Sequence, residues 1–567
     1  MARKFADLIF YGGHVLTMND ESPKADALAV TGETIAAIGD EDHVFQHAGK
    51  NTKFIHLNNQ TVMPGLIEPH QHAITVALFS KITDISGYYY HSYAEVKARI
   101  LSEIASVDVT SSDSPSPCVF RGWDPEIIRD LPGLNANVIE REFSAAVPVA
   151  ILGQNLHAGW VNNKAFEVLG IDESVQDTPN AVFGRGKDGK LTGELYEPGA
   201  IFLFLRTKMC NPSKLVQDTW RDYAAAGFTT ITDILNMSEA DLFQAAKEYA
   251  RCDSCPLRLA IYHSSGLVEK NGPSTDLCGT FWIAGRKFIA DGSPHCGTSA
   301  TREPYLDNEI TRKLSFPPSP NNGILLYETK DLYDKVRLFH DEGRQVAIHA
   351  HGERAIDQAL EVYEKIQSES DTPPSKLRHR IEHLGFVTQA QLVRAGKLGL
   401  ALSLFVDHLY FYAKSFAQNI LGLERTNRWA PLSLATKHGL KWTIHQDHPS
   451  FPGPPRPFGN MRTAVTRTQR DDGKTVHGPE YRVTIDEALK AYTINAAWQL
   501  HRESDLGSLE PSKKADLVIL SADPRDTPPL DLESLRVIDT YIGGRSNGLS
   551  KRKNATIGGR CVQVYGD

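Results

Sequence analysis

Histidine and carboxylate residues close several short apolar runs of this sequence. His70 and His72 are separated by one residue, so in an extended strand both imidazoles point to the same side and can bind one metal ion. A His-x-His pair alone is weak evidence, because a chain with 21 histidines contains some such pairs by chance. The chemistry that such a pair would supply is metal binding and the activation of a water molecule.

Later strand-like runs, at residues 346–351, 380–383 and 441–447, end in the same types of side chain. The potential ligands at these ends are His349, His383 and Asp447. The carboxyl ends of parallel strands meet at one face of a barrel, so this repetition predicts one shared site. Packing alone explains a single buried histidine, but it does not explain ligand-type side chains on strand after strand.

The elements that must position these residues are short apolar strands separated by helical stretches. The strand-like runs after the first one are residues 146–152, 229–235, 286–290, 346–351, 380–383, 400–404 and 441–447. Short buried strands that alternate with helices indicate βα units and a parallel sheet. We predict an α/β fold in which eight units close into a TIM-like (β/α)8 barrel. An open doubly wound sheet is disfavoured, because no G-x-G-x-x-G turn follows the first strand.

Both ends of the chain are typical of a small β domain. Residues 6–18 are predicted to form a hairpin around Gly12 and Gly13, and residues 27–38 to form a second strand pair. Strand-like segments recur at residues 515–520 and 536–542. We therefore predict one β-sandwich built from residues 1–63 and 506–567, with the barrel as residues 64–505 between them.

Charge and cysteine content limit the possible partners and compartments. The net charge of −8 is spread along 567 residues, so neither nucleic acid nor a membrane surface is an expected partner. No run of about 18 apolar residues indicates a membrane span. Seven cysteines in so long a chain do not resemble a disulfide framework, which favours a cytoplasmic location. The lone pair Cys252 and Cys255 is interpreted as two reduced thiols.

The strand-end motifs resemble those of a known family. PGLIEPHQH at residues 64–72 is similar to the opening motif of the amidohydrolase superfamily. Four further segments resemble its amidohydrolase-3, or YtcJ-like, branch: RKFIADGS at 286–293, HAHGERA at 349–355, RIEH at 380–383 and GSLEPSKKADL at 507–517. The resemblance extends over residues 7–523, with the motifs in the order found in the family.

The resemblance implies a divalent metal centre, with zinc as the expected metal and one or two ions per subunit. The implied ligands are His70, His72, Lys287, His349, His383 and Asp447. Two ions about 3.5–4 Å apart can share a hydroxide and lower its pKa toward neutrality.

Lys287 and Asp447 are the implied catalytic residues. Lys287 suits a metal site only after carboxylation, because an ammonium group would repel the ions. The alternative is an unmodified Lys287 that holds Asp291 or a carboxylate of the substrate. Asp447 would accept a proton from the attacking water and return it to the leaving nitrogen. The alternative for Asp447 is a structural role before the turn at His448.

Four further residues are predicted to contact or position the substrate. His157 lies in a segment, GQNLHAG, where this sequence has Asn-Leu-His and the family usually has Asp-Gly-His. Trp123 is a candidate pocket wall, although a tryptophan in a large protein is more often part of the core. His351 is predicted to contact the substrate or to support a ligand. His445 lies on the same strand face as Asp447 and is predicted to orient it.

Together these features predict an enzyme that hydrolyses a C–N, amide-like bond of a small molecule by metal-activated water. Ester or lactone hydrolysis, deamination and decarboxylation on the same site are the close alternatives. A regulatory or binding protein without turnover is a distant one, because that reading predicts lost ligands and all of them are present. A homodimer is expected only from the family resemblance.

Overall fold

The computed structural model describes residues 5–107, 116–178, 181–209, 211–236, 240–264, 279–314, 316–451, 453–549, 554–557 and 560–563. The strands among them are β1 (Leu8–Tyr11), β2 (His14–Leu16), β3 (Lys24–Ala25), β4 (Ala27–Thr31), β5 (Thr34–Gly39), β6 (Lys53–His56), β7 (Thr61–Pro64), β8 (Leu66–Gln71), β9 (Thr83–Asp84), β10 (Cys118–Trp123), β11 (Val149–Gly153), β12 (Ala158–Val161), β13 (Val182–Arg185), β14 (Leu191–Tyr196), β15 (Phe228–Asn236), β16 (Arg258–Ser264), β17 (Phe281–Ile289), β18 (Gln345–Ala350), β19 (Arg380–His383), β20 (Ala401–Leu404), β21 (Trp442–Ile444), β22 (Leu517–Leu520), β23 (Val537–Ile542), β24 (Arg545–Ser546), β25 (Asn554–Ile557) and β26 (Arg560–Gln563).

The α-helices of the same residues are α1 (Glu41–Phe45), α2 (Tyr93–Ile104), α3 (Ala136–Glu142), α4 (Asn163–Leu169), α5 (Pro198–Leu205), α6 (Pro212–Ala225), α7 (Ala240–Ala250), α8 (Glu309–Lys313), α9 (Thr329–Asp341), α10 (Glu353–Glu369), α11 (Pro374–Leu377), α12 (Gln389–Lys397), α13 (His408–Phe411), α14 (Ala413–Ser415), α15 (Leu423–Asn427), α16 (Leu432–Lys437), α17 (Pro457–Thr466), α18 (Ile485–Ala491) and α19 (Ile494–Gln499). Within the described ranges, no helix is both long enough and apolar enough to cross a membrane.

Eight parallel strands form the barrel that carries the candidate site. β8 pairs with β15, and each strand from β15 to β20 pairs with the next one along the chain, up to β21. β18, β19, β20 and β21 are almost fully buried, as expected of parallel strands that are covered on both sides. The helix α10 lies between β18 and β19 and buries Ile356, Ala359, Leu360 and Tyr363, which recur at helical spacing. The predicted TIM-like barrel is confirmed.

A separate six-stranded sheet is inserted between the first and second barrel strands. Its order is β13-β14-β12-β11-β10-β9, and we call it the insertion sheet. The prediction that residues 146–152 form a barrel strand was wrong, because β11 pairs with β10 and β12 in the insertion sheet. The barrel strand that the sequence analysis lacked is β16. A short, fully buried apolar run has the same composition in either sheet, so the pattern alone does not identify its partners.

The two chain ends share two packed sheets. One sheet has the order β5-β4-β1-β6, and the other has the order β24-β23-β22-β7-β2-β3. In the second sheet β7 pairs antiparallel with β22, so residues more than 450 positions apart in the chain are neighbours. Phe10, Val30, Leu517 and Tyr541 belong to one hydrophobic core between the sheets. The domain boundaries after residues 63 and 505 stay a prediction.

The predicted hairpin over residues 6–18 was wrong. β1 pairs with β4 and β6, whereas β2 pairs with β3 and β7 in the opposite sheet. Gly12, at φ +69°, therefore turns the chain from one sheet to the other. The second predicted pair does form an antiparallel hairpin of β4 and β5.

Candidate metal centre

Three predicted ligands converge at the carboxyl end of the first and last barrel strands. The Nε2 atoms of His70 and His72 each lie 3.3 Å from Oδ1 of Asp447. Burial of Asp447 opposes its charge, but the two imidazoles hold the pKa of its carboxyl well below the usual range. Asp447 also adopts a left-handed backbone conformation, at φ +51°. Such strain in a residue with a side-chain β-carbon is concentrated at functional sites in proteins.

A buried carboxylate fixes the orientation of the first histidine. Nδ1 of His70 donates to Oε2 of Glu382 at 2.5 Å, which leaves Nε2 of His70 directed at Asp447. Arg380 donates to both carboxylate oxygens of Glu382, at 2.6 and 2.9 Å. All three side chains are buried. Carboxylate–histidine pairs of this kind set the tautomer of metal-binding imidazoles, although sequence analysis assigned Glu382 no role.

Lys287 lies on β17 with its side chain fully inside the protein. The residue is 2% exposed, and no described group accepts a hydrogen bond from its Nζ. Burial lowers the pKa of Lys287 to about 8, while the carboxylates Glu382 and Asp447 partly oppose that effect. A sizeable neutral fraction near neutral pH is the condition under which an amine reacts with carbon dioxide. Asp291 does not hold Lys287, because Nζ of Lys287 has no hydrogen-bond partner among the described residues, while the Asp291 oxygens accept from other groups.

Asp291 instead orients the ligand on the fifth strand. Its Oδ1 accepts from Nδ1 of His349 at 3.0 Å, which directs the other ring nitrogen away from the carboxylate. The same carboxylate accepts from the backbone N–H groups of Ala300, His351 and Gly352. A β-carbon at Gly352 would lie 2.1 Å from the carbonyl oxygen of Ala300, so glycine allows this close approach.

The remaining histidines form a compact group around His383. Ring nitrogens of His70, His383 and His445 lie within 4.8 Å of one another, and so do those of His349, His351 and His383. His445 stacks on His70 with ring centroids 4.3 Å apart, and His351 stacks on His383 at 4.6 Å. Burial lowers the pKa values of His351, His383 and His445 well below the usual range, which keeps these imidazoles neutral. Neutral imidazoles have the free lone pair that a metal ion requires.

The buried nitrogens of this group provide a fit test for a metal ion. Nδ1 of His383, both ring nitrogens of His445 and Nδ1 of His351 have no hydrogen-bond partner among the described residues. Buried polar atoms are normally paired, so several orphaned nitrogens at one point indicate a missing ligand. The donors are imidazole nitrogens and a carboxylate, a set that suits zinc and related divalent ions.

Trp123 and His157 lie apart from the histidine group, against a cavity of about 360 Å³ beside the insertion sheet. Trp123 is buried, and its ring packs edge-on against Tyr93 as well as bordering the cavity. His157 is half-exposed and hydrogen-bonds through Nδ1 to Glu197 at 3.1 Å. Both predicted contact residues therefore border one space, whereas His351 and His445 lie among the candidate ligands.

One further carboxylate at a strand end was missed by the sequence analysis. Asp233 on β15 is buried, and its backbone pairs with that of His72 in an isolated antiparallel β-bridge. Its side-chain Oδ2 accepts a hydrogen bond from the backbone N–H of Ile74 at 2.7 Å. Burial raises the pKa of Asp233 to about 6. A carboxylate near the carboxyl end of an apolar strand is the pattern that selected Asp447, and Asp233 within residues 229–235 shows a similar one, which was the available signal.

A parallel barrel with histidines, a lysine and an aspartate at the carboxyl ends of its strands defines a class of barrel hydrolases. The sequence profile described as Amidohydrolase family matches residues 53–546. The chain therefore belongs to the amidohydrolase family, in its YtcJ-like branch, and is a hydrolase.

Several curated proteins are similar over nearly their whole length. N-substituted formamide deformylase of Arthrobacter pascens is 25% identical over 562 residues, covering 95% of this chain and 97% of that protein. Protein LONG AFTER FAR-RED 3 of Arabidopsis thaliana is 26% identical, covering 95% and 91%. Putative amidohydrolase YtcJ of Bacillus subtilis (strain 168) is 24% identical, covering 95% and 98%.

The fold also matches solved structures. An uncharacterized metal-dependent hydrolase from Pyrococcus horikoshii superimposes with a TM-score of 0.71 at 21% identity, covering 92% of this chain and 99% of that one. At this identity the similarity shows the shared fold.

Proposed function

We propose that this protein is a metal-dependent amidohydrolase that cleaves a C–N, amide-like bond of a small molecule. The observation that carries the proposal is the convergence of His70 and His72 on Oδ1 of Asp447, each at 3.3 Å, at the mouth of the barrel. The formamide deformylase named above, similar over 95% of this chain, supports the choice of a C–N bond.

The residues present fit one or two zinc ions. His70, His72 and Asp447 would hold one ion, because their ligand atoms already face one another. A carboxylated Lys287, His349 and His383 would supply ligands for a second ion. A bound ion would polarise the scissile carbonyl and lower the pKa of the attacking water.

The protein's own groups then have distinct tasks. Asp447 is buried and ionised, so it can accept a proton from the water and pass it to the leaving nitrogen. Glu382 and Asp291 hold His70 and His349 in fixed tautomers, which spares the site reorganisation during the reaction. The imidazoles of His445 and His351 pack against the ligands and exclude bulk water from them.

The test is metal analysis followed by hydrolysis assays on amide and ester libraries, with and without a chelator. We expect bound zinc, chelator-sensitive amide hydrolysis, and a loss of about 10²–10⁴-fold in kcat for Asp447→Asn. Asp341→Asn, which changes an exposed aspartate on α9, is the matched control and should leave activity unchanged. The proposal fails if the purified protein holds no metal and no activity responds to the chelator. Faster ester, lactone or deamination turnover would favour those alternatives on the same site. A cytoplasmic homodimer stays a prediction.

A further inference from the structure

A cluster of three histidines lies where β18 and β19 end. His349 belongs to β18, His351 directly follows that strand, and His383 ends β19. We call these three residues the histidine trio. One ligand nitrogen of each lies within 4.8 Å of those of the other two. Tetrahedral zinc holds its nitrogen ligands roughly 3.3 Å apart, so modest ring rotations would bring the trio onto one ion.

A single carboxylate holds two members of the histidine trio. Oδ1 of Asp291 accepts from Nδ1 of His349 and from the backbone N–H of His351, each at 3.0 Å. The other oxygen of Asp291 accepts from the backbone N–H of Gly352 at 2.8 Å. Because Nδ1 of His349 is already bonded, Nε2 is the nitrogen that remains for an ion. The turn that carries His351 is therefore fixed by the same group that orients His349.

The third member of the trio has a strained backbone. His383 lies at φ +74° and the next residue, Leu384, at φ +52°, a left-handed conformation that is uncommon for residues other than glycine. The backbone N–H of Leu384 donates to the carbonyl of Ala350 at 3.2 Å, and the carbonyl of His383 accepts from Phe405 at 3.0 Å. These bonds hold the turn of His383 against the end of β18. Strain of this kind is concentrated at functional sites.

Ring contacts alone do not explain the presence of a histidine at position 351. His351 is 4% exposed and His383 is 2% exposed, and Nδ1 of each has no hydrogen-bond partner among the described residues. A buried unpaired polar atom is unfavourable by about 1–3 kcal/mol. A phenylalanine at position 351 could make the same ring contacts with Phe405 and Trp429 without that penalty. The imidazoles therefore indicate a ligand at this point.

The histidine trio is open to solvent on one side. The side chain of His349 is 16% exposed, whereas His351 and His383 are buried. Three imidazoles and one open position are the ligand set of a catalytic zinc site, in which water or substrate takes the fourth position. Imidazoles bind zinc as neutral donors, so this set needs no modified side chain.

Lys287 lies one layer deeper in the barrel than the trio. In the pairing of β17 with β18, Lys287 is opposite Ala347, whereas Ile289 is opposite His349. Two residues along a strand correspond to about 6.6 Å. A carboxylated Lys287 would have to extend toward the barrel mouth to reach these nitrogens, but His351 is already beside them.

We propose that His351 is a metal ligand, and that His349, His351 and His383 hold the second zinc ion without carboxylation of Lys287. The inference rests on the proposed function for the metal-loaded state of the enzyme, and it replaces Lys287 by His351 in the second set of ligands. Each imidazole donates one nitrogen lone pair to the ion, and no covalent bond of the protein is broken.

The first test counts metal ions in the full chain. Metal-free protein is titrated with Zn²⁺ against a chromophoric chelator, with and without added bicarbonate, and bound zinc is measured by elemental analysis. We expect two ions in the wild type and in Lys287→Met, with no effect of bicarbonate. His351→Phe keeps a ring in place but removes the nitrogens, so it should lower the affinity for the second ion by at least about 100-fold. His408→Phe is the matched control, because His408 is also buried and its ring lies 5.6 Å from that of His351.

The second test detects the bond between position 351 and the metal directly. His351→Cys places a thiolate ligand at this position, and a thiolate bound to Co²⁺ absorbs in the near ultraviolet. We expect this absorption in cobalt-loaded His351→Cys, and neither in His408→Cys nor in the wild type with its own seven cysteines. Circular dichroism checks the folding of each variant, and the two substitutions at position 351 provide independent tests if one variant does not fold.

Several results would overturn the proposal. They are a single zinc ion in the saturated wild type, unchanged two-ion binding in His351→Phe, and no additional absorption in cobalt-loaded His351→Cys. Loss of the second ion in Lys287→Met, or its dependence on bicarbonate, would assign that ion to a lysine carbamate instead.

Hydrolysis assays separate this inference from the proposed function. Binding of a second ion through His351 without chelator-sensitive cleavage of any amide would support the histidine trio and contradict amide hydrolysis. Chelator-sensitive amide cleavage by an enzyme whose zinc content is the same in the wild type and in His351→Phe would contradict the trio alone.

Discussion

Glu382→Gln is the substitution that most directly tests how the barrel holds its candidate metal ligands. Glu382 both orients a candidate ligand and neutralises a buried cation, because one of its oxygens accepts from His70 and both accept from Arg380. Glutamine keeps the size of the side chain and one acceptor oxygen, but it removes the charge. We expect two separable losses, one in folding stability and one in metal affinity.

The size of each loss follows from the contacts. Arg380 and Glu382 are both fully buried, so the variant leaves a guanidinium without its counter-charge, which is unfavourable by about 3–5 kcal/mol. The carbonyl of Pro69 still accepts from Arg380, which places the expected loss in folding free energy at the lower end, about 3 kcal/mol. Loss of the carboxylate that orients a ligand histidine lowers metal affinity by about 10–100-fold.

Two measurements separate these losses. Urea unfolding of the metal-free protein gives the change in stability, and competition with a chromophoric chelator gives the zinc affinity of the folded variant. Asp341→Asn breaks an exposed ion pair with Arg337 and should change stability by less than about 1 kcal/mol. The reasoning is refuted if Glu382→Gln destabilises no more than this control, or if its zinc affinity equals that of the wild type.

Two further changes test buried charges elsewhere. In metal-free, uncarboxylated protein, Lys287→Met should raise the free energy of unfolding by about 3 kcal/mol below pH 8, because burial lowers the lysine pKa from 10.5 to about 8. That gain should shrink as the pH rises through 8 and disappear above 10.5, where the lysine is neutral in both the folded and the unfolded state, and a pH-independent difference in urea unfolding would contradict it. Asp516→Asn removes the bidentate partner of buried Arg258, at 2.6 and 2.9 Å, and should destabilise the protein by about 3 kcal/mol. A loss of less than about 1 kcal/mol in the free energy of unfolding would contradict the inference that this contact between β16 and the terminal sheets stabilises the fold.

The barrel class could be predicted from sequence because parallel strands covered on both sides are distinctive as a series. The sheet to which each individual strand belongs could not be predicted in the same way. β11 and β16 are both short and buried, and only their backbone partners separate the insertion sheet from the barrel. Those partners lie far along the chain and have no local signal. The same reason explains why the hairpin predicted for residues 6–18 was wrong. Alternating apolar and polar residues predict that β1 and β2 are strands, but not that they belong to two different sheets.

The positions of the candidate ligands could be anticipated for a different reason. His70, His383 and Asp447 each close an apolar strand, and strand ends of a barrel must meet whatever the intervening sequence. The groups that orient them could not be found in this way. Glu382 and His70 are 312 residues apart and become partners only when the barrel closes. The left-handed backbone at His383 and Asp447 could not be predicted either, because aspartate and histidine adopt it more often than most residues but still rarely.

The barrel and the insertion sheet contribute different parts of this region. The groups that orient the ligands, Glu382 and Asp291, come from the barrel itself, whereas most of the cavity wall comes from the insertion sheet. Substitutions in the insertion sheet should therefore reshape the cavity without moving the metal ligands. Gln154 is the exception, because its amide donates to the carbonyl oxygens of Pro449 and Ser450 in the segment that follows Asp447. A change at Gln154 should therefore lower kcat, because it releases the backbone that follows Asp447, and steady-state kinetics of Gln154→Met would check this.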